Sequence, residues 1–328
     1  MRASRRSLLA ATTAPIWTAC RRRPAAGLIK VGVTVRITAA PLYLAHELGL
    51  FRDEGLNVEI VGYNRQLEQI PALVAGQIQA AFHGFTPALC NAIHRDERIR
   101  IVAGRHTLVP GCSDQGAAYY RRARFPNGFD RPADWRGARI AIPTDNEMGR
   151  FYLDQLLAAK GVPPDSVEIS RMRAEEAVAA AAGDHLDLFF GSGRPEFLAG
   201  GLPPTVARTD MLISLLGEFQ YAYVIFGAAL LDGNLSTGAG LLRAYLHGVR
   251  RFQAGETPRF LDEFASRAHM DPALVRGSCR SNISPTGEIR LGDMERWVAW
   301  AVAGKLTEPI RAEDMVDLRF QQAVAKSL

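Results

Sequence analysis

The first 46 residues of this 328-residue chain contain no acidic side chain. The first carboxylate is Glu47, and Arg2, Arg5, Arg6, Arg21, Arg22 and Arg23 all lie ahead of it. The formal charge of +5 is therefore concentrated at one end. Without those six, 33 basic residues face 34 acidic ones. No basic stripe interleaved with aromatics stands out in the remainder, which argues against a nucleic-acid partner despite the pI of about 9.2. Long apolar runs are also missing. Beyond residue 20 none reaches the roughly 20 residues that span a bilayer, so the body of the chain is expected to be soluble. Cysteine is scarce, at Cys20, Cys90, Cys112 and Cys279, with no C-x-x-C. The seven histidines are scattered, with no H-E-x-x-H and no Cys/His cluster, so no metal site is expected. Buried, inert thiols are the expected state of Cys90, Cys112 and Cys279, and spacing leaves their disulfide state open. G-x-S-x-G, P-loop and dinucleotide fingerprints are absent as well. The sequence thus offers no catalytic residue and calls for no cofactor.

What is present begins with an address. Residues 1–19 have a basic start and an apolar stretch from Leu8 to Ala19, broken by Pro15, as in a secretory signal. Ser4-Arg5-Arg6-Ser7-Leu8-Leu9 resembles the twin-arginine export signal. Thr18-Ala19-Cys20 resembles the end of a bacterial lipobox, although Trp17 stands where that motif carries Leu, Val or Ile. Cys20 is accordingly a candidate for lipidation. Residues 1–27 read as signal peptide and tether, and the expected location is periplasmic or otherwise extracytoplasmic.

Strand and helix patterns then alternate. Strands are predicted over 28–35, 57–61, 79–83 and 99–103, with helices starting at Pro41, Gln66 and after Pro87. The plan restarts after a turn-rich stretch at 126–137. Strands are predicted at 138–142, 167–170 and 186–190, with helices at 147–160 and 173–182. After a strand at 221–226 the rest is read as mainly helical: 241–253, 258–268, 271–279, 292–303 and 312–325. Two consecutive α/β modules of similar plan imply two lobes with a cleft between them.

Four blocks carry a resemblance. Ala40-Pro41-Leu42-Tyr43-Leu44-Ala45 with Gly49-Leu50-Phe51 and Glu54-Gly55-Leu56-Asn57-Val58-Glu59 closely resembles a recurring block of the NMT1/THI5-like solute-binding family. Ala72-Leu73-Val74-Ala75-Gly76-Gln77-Ile78-Gln79-Ala80-Ala81-Phe82 is similar to a second block of that family. Asp134-Trp135-Arg136-Gly137-Ala138-Arg139-Ile140-Ala141-Ile142-Pro143 looks like the stretch that opens its second lobe, and Asp314–Phe320 like its closing segment. The resemblance implies an α/β, two-lobed, type II periplasmic-binding-protein fold with a ligand cleft between the lobes. Lobe one is placed at 28–113 plus 219–328 and lobe two at 114–218. It also implies a role as the substrate-binding protein of an ABC importer of the nitrate, sulfonate and taurine group. The partners would be a permease, an ATPase and a small-molecule solute, with a monomeric chain that meets the membrane only through a lipid on Cys20.

Four loops follow predicted strand ends and should face the cleft. Arg36 and Thr38 lie in the first, ahead of a helix N-terminus that favours anions. Phe85 and Thr86 lie in the second, offering an aromatic to stack and a hydroxyl to donate. The third carries Thr144, Asp145 and Asn146, ahead of the helix containing Met148, with Asp145 or Asn146 as its N-cap. The fourth carries Ser192 and Arg194, where many family members have Glu-Pro and this chain has Arg194-Pro195. Tyr221 and Tyr223, near the return crossing, are candidate walls or core residues. Each loop residue also has an ordinary reading, as a solvated side chain or a cap. Arginines on two loops point to a small organic anion such as a sulfonate or carboxylate. The alternatives are a decarboxylase-like enzyme on the same fold and a ligand-sensing protein. His83 and Cys90 are read as core or helix residues.

Overall fold

The computed structural model describes residues 27–95, 97–110, 112, 117–143, 147–190, 202–268, 271–280 and 282–325. Ten strands run in chain order as β1 (Ile29–Thr34), β2 (Val58–Tyr63), β3 (Ala80–Gly84), β4 (Ile99–Leu108), β5 (Ala118–Arg121), β6 (Arg139–Pro143), β7 (Glu168–Met172), β8 (Leu188–Phe190), β9 (Val206–Thr209) and β10 (Phe219–Gly227). Among them lie α1 (Ala40–Glu47), α2 (Leu50–Asp53), α3 (Gln69–Val74), α4 (Pro87–His94), α5 (Pro132–Trp135), α6 (Met148–Ala159), α7 (Ala174–Ala182) and α8 (Met211–Leu216). After β10 follow α9 (Ala228–Leu231), α10 (Leu235–Gln253), α11 (Pro258–Arg267), α12 (Pro272–Arg276), α13 (Leu291–Ala303) and α14 (Arg319–Ala325).

The strands form two five-stranded sheets, ordered β2-β1-β3-β10-β4 and β7-β6-β8-β5-β9. The chain leaves sheet one after β4, builds all of sheet two, and returns in β10. In sheet one β1 is parallel to β2 and β3, while β10 runs antiparallel between β3 and β4. Sheet two repeats the device, with β5 antiparallel between β8 and β9. The fold is thus two-lobed α/β.

Strands buried on both faces read as continuous apolar runs, and β3 is buried from Ala80 to His83. One face of sheet one packs on α1, α10 and α14 through Val31, Val33, Phe82 and Phe226. Its opposite face shares one core with sheet two, and Phe85, Phe151, Phe219 and Trp297 all belong to it. The outer face of sheet two packs on α7 through Phe189 and Ala181. The long α10 is capped by Asn234, whose side chain accepts from Ser236 N at 3.0 Å. It is tied to α2 by Arg243, which donates to both oxygens of Glu54 at 2.7 and 3.0 Å.

β4 is longer than the sequence suggested, reaching Leu108 instead of Ala103. Its free edge is covered by 282–288: Thr107 N donates to Asn282 O, Ser284 N to Arg105 O and Gly104 N to Gly287 O, at 2.7–2.9 Å. The approach is so close that a Cβ on Gly104 would lie 2.0 Å from Glu288 O. β5, β9 and α8 were not expected, because each is only four to six residues long. The helix expected at 312–325 is instead a 3-10 turn at Ala312–Met315 followed by α14. The helix expected from 241 begins at Leu235.

The thiol expectation needs correcting. Cys112 and Cys279 form a disulfide across 167 residues, and only Cys90 is a buried free thiol among the described residues. The two partners lie on either side of sheet two in sequence, so no local spacing announces the bond.

Candidate functional site

The parallel strands of sheet one end at a common rim. Val33 pairs with Phe82, and Ala222 pairs with both Gly84 and His106. Thr34, Tyr63, Gly84 and the last residues of β4 therefore lie together, beside the start of β10. Ligands of open α/β sheets bind at such carboxyl ends. The rim is also where sheet one buries most of its polar side chains.

Gln69 is fully buried and donates through Nε2 to Thr34 Oγ1 at 3.0 Å. Gln66 accepts from Gly84 N at 3.2 Å. The buried His83 has Nδ1 2.5 Å from Gly84 O and Nε2 3.0 Å from Gln66 O. A neutral imidazole carries one N–H and can serve only one of these carbonyls. Burial lowers the His83 pKa most, the two carbonyls oppose it, and the charge of Arg105 adds to it, leaving it at about 4.

Arg105 is 5% exposed. Its Nη2 donates to Thr38 O at 2.7 Å, and its guanidinium lies 5.3 Å from the centre of the Phe82 ring. Burial lowers its pKa, opposed by the adjacent phenols of Tyr245 and Tyr221. Among the described residues its Nε has no hydrogen-bond partner, and no carboxylate forms an ion pair with it. His106 is fully buried with both ring nitrogens unpartnered, and its ring lies 6.1 Å from that of Tyr221. Burial first, then Arg105, holds His106 well below its ordinary pKa. A small cavity of about 10 Å³ lies against His106, Thr38, Asn282 and Cys279.

The structure sorts the expected site residues. Arg36 is half-buried at the N-cap of the 3-10 turn Ile37–Ala39, which leads directly into α1. Thr38 is half-buried and contributes its carbonyl to Arg105. Tyr221 is half-buried at the same rim.

Phe85 is not a free stacking surface. It is 1% exposed, with its ring 4.7 Å from Trp297 and 5.5 Å from Tyr223. Thr86 is likewise fully buried, and its oxygen accepts from Leu89 N at 3.3 Å as the N-cap of α4. Met148 is buried as the first residue of α6, whose N-cap falls at Glu147 instead of Asp145 or Asn146. Tyr223 is a core residue, its hydroxyl donating to Gln220 O at 3.2 Å. Thr144, Asn146, Ser192, Arg194 and Cys20 lie outside the described residues.

Sequence reasoning missed Arg105, His106, Gln66 and Gln69. The available signal was an Arg-His pair between Val102-Ala103 and Leu108-Val109, a basic dipeptide within an apolar strand. Ending that strand at Ala103 hid it. No group of three or more His, Cys, Asp or Glu able to hold a metal is found among the described residues.

Known proteins extend this picture. No protein of curated function matches the sequence significantly. Among solved structures, the chain is similar to the ligand-binding component of an ABC-type import system from Staphylococcus aureus, determined with zinc bound. That pair shares 15% identity and a TM-score of 0.68, over 90% of this chain and 98% of the other. The periplasmic aliphatic sulphonate binding protein SsuA from Escherichia coli aligns with 13% identity and a TM-score of 0.69, over 90% and 92%. The desulfurization enzyme DSZB aligns with 14% identity and a TM-score of 0.63, over 91% and 99%. At such identities these likenesses establish the fold. Residues 37–194 match the model of the NMT1/THI5-like family, a range that includes the first three sequence blocks and excludes the tail block at Asp314–Phe320. Residues 37–194 are thus similar to the NMT1/THI5-like family, and the two-sheet architecture is the generic periplasmic-binding-protein fold.

Proposed function

We propose that this chain is an extracytoplasmic solute-binding protein that delivers a small organic anion, such as a sulfonate or carboxylate, to the permease and ATPase of an ABC importer. The observation that carries the reading is the rim of sheet one, where buried polar groups and a buried arginine collect at the carboxyl ends of the strands. The import and sulphonate-binding proteins named above support it by sharing the fold over nine-tenths of this chain. In this reading lobe one is 28–113 plus 219–328 and lobe two is 114–218. Arg36, Thr38 and Tyr221 face the solute from lobe one, and Thr144, Asn146, Met148, Ser192 and Arg194 from lobe two. The protein works as a monomer.

Export by the twin-arginine-like signal agrees with the Cys112–Cys279 disulfide, since such bonds persist in oxidising compartments. No helix among the described residues is long and apolar enough to cross a membrane. Lipid on Cys20 is the proposed anchor.

A desulfurization enzyme shares the fold, so the fold alone does not separate binding from catalysis. The free thiol here argues for binding. Burial pushes Cys90 up to about 12, far from a reactive thiolate.

The test is a thermal-shift screen of the mature protein against sulfonates, carboxylates, nitrate and pyrimidines, because a ligand of the native state raises its melting temperature. A saturating shift from an anion, with one site per chain and a smaller radius of gyration on binding, is expected. Loss of Arg36 or Arg194 should then weaken binding by roughly ten- to a hundredfold. A screen without any shift rejects the reading.

A further inference from the structure

We infer that Arg105 is the residue that makes the rim of sheet one select an anionic group over its neutral counterpart. This rests on the solute-binding reading above and gives the buried arginine of that rim a specific role. The fold supplies an internal control. Three residues with a formal charge are buried among the described residues: Arg105, Asp187 and Asp293. Asp187 is held by Arg121 and Arg139. Asp293 lies against Arg290 and Arg296 and accepts from Gln220 N at 2.8 Å. The fold thus surrounds each buried acid with cations. The one buried cation has a carbonyl, two phenols and an aromatic face, but no acid among the described residues.

A buried guanidinium without a counter-charge is costly, and losing its partner is among the more damaging changes an ion pair can suffer. Here the position accounts for the cost. Arg105 sits one residue from His106, which is level with Gly84 at the carboxyl rim. It grips the carbonyl of Thr38 in the turn that opens α1. Its Nε is left as a donor without a partner. His83 and His106 flank it and are held neutral, so Arg105 is the buried positive charge of this cluster, with Arg36 half-buried in the adjoining turn. An anionic headgroup docking against the Arg36–Thr38 turn and Tyr221 supplies the missing negative charge, and a neutral isostere does not. Arg105 acts on the headgroup through its field and by holding the turn, so it is a positioning and specificity residue.

The experiment is titration calorimetry on the mature chain with two matched pairs of probes: butane-1-sulfonate with butane-1-sulfonamide, and pentanoate with pentanamide. Wild type should bind at least one anion about tenfold or more tighter than its amide. R105Q should lose roughly 10- to 100-fold for that anion and leave the amide within about threefold, collapsing the ratio. R105K should restore part of it, because an ammonium keeps the charge and loses the fork. A purely structural role would weaken both members of a pair alike. Should R105Q fail to fold, the guanidinium Nε–H resonance of Arg105 in 15N-arginine-labelled wild type decides: it should shift with butane-1-sulfonate and stay in place with the sulfonamide. An unchanged ratio in R105Q, or an unmoved resonance, overturns the inference. The two levels fail separately. A neutral solute from the screen that binds wild type and R105Q equally leaves solute binding standing and removes the role of Arg105, whereas no binding by any compound removes both.

Discussion

Sheet two buries its charge at the end of the sheet away from its strands' carboxyl ends, and pairs it. Asp187 precedes β8, beside the first residue of β6 and the last of the antiparallel β5. Its carboxylate accepts from Arg121 Nη2 at 2.7 Å, Arg139 N at 2.9 Å, and Arg139 Nε and Nη2 at 3.2 and 3.1 Å. Sheet one buries Arg105 at the opposite, carboxyl-end rim, with no acid paired to it among the described residues. The difference separates two uses of a buried charge. A carboxylate whose acceptor sites are filled by the same domain stitches strand ends together. A guanidinium with a spare donor, set at the rim where open sheets bind ligands, is available to something outside the chain.

The largest expected effect tests how far sheet one depends on its covalent staple. Sheet two contains no cysteine, whereas Cys112–Cys279 closes 167 residues around it. Loop-closure entropy for such a span is about 5 kcal/mol, and native disulfides contribute roughly 2–5. The Cys112→Ser, Cys279→Ser double variant should therefore lose several kcal/mol in urea denaturation. A loss below about 1 kcal/mol would mean that the cover over the β4 edge holds without it.

Next comes the paired charge against the unpaired one. Asp187→Asn should cost about 3 kcal/mol, the low end for breaking a buried pair, because Arg121 and Arg139 keep access to solvent. Arg105→Met, which removes a charge without orphaning a partner charge, should change stability by only about 1 kcal/mol. Equal losses in denaturant titrations would erase the distinction between the two sheets.

Acid should then separate them by pH. His83 has its folded pKa lowered to about 4 from 6.5, so its contribution is complete above 6.5 and is lost as pH falls through 4. For Asp187, burial alone would raise the pKa, but bonds from Arg139 and Arg121 outweigh it and hold it at about 2. Its contribution is complete above 3.8 and is lost toward pH 2. His83 should contribute a loss of about 3 kcal/mol to the upper window, to which His106 also contributes, and Asp187 about 2 kcal/mol to the lower. His83→Gln should make the upper window shallower, and Asp187→Asn the lower, in melting temperatures across pH.

Much of this was legible beforehand. Periodicity gave β1, β2, β3, β6, β7, β8 and β10, most plainly where buried strands such as β3 and β8 are near-continuous apolar runs. The blocks from Ala40 to Phe82 pointed to the family. Short elements escaped: β5 and β9 have four residues each, too few to show a period. The rim escaped for a different reason. Gln69, His83, Arg105 and His106 are polar residues whose burial depends on strands far apart in sequence. Arg36 drew notice on a loop ahead of a helix, while Arg105 fell past the predicted strand end at Ala103 and drew no reading. Phe85 and Thr86 show the converse error. Their loop position suggested a ligand surface, but tertiary packing on Trp297 and the cap of α4 claim them.

The last effect concerns a place where the two modules are bonded by side chains through their shared core. Asp154 on α6 accepts from Trp300 Nε1 on α13 at 2.9 Å, and its other oxygen accepts from Arg150 Nε at 2.8 Å. Phe151, one turn earlier, has its ring 5.2 Å from Phe219 and 5.4 Å from Trp300. Phe219 is the first residue of β10, where the chain has just returned from sheet two. The joint therefore sits at the second crossing of the chain between the sheets. Trp300→Phe keeps an aromatic wall and deletes the donor, leaving Asp154 with Arg150. A charged acceptor losing one of two donors should cost about 1–2 kcal/mol, reduced by the solvent that reaches Asp154. The variant should still unfold in a single transition, with α6 and β10 melting together, because the ring contacts remain. Two resolved transitions in calorimetry would show that the Trp300–Asp154 bond, and not the shared apolar core, couples the modules.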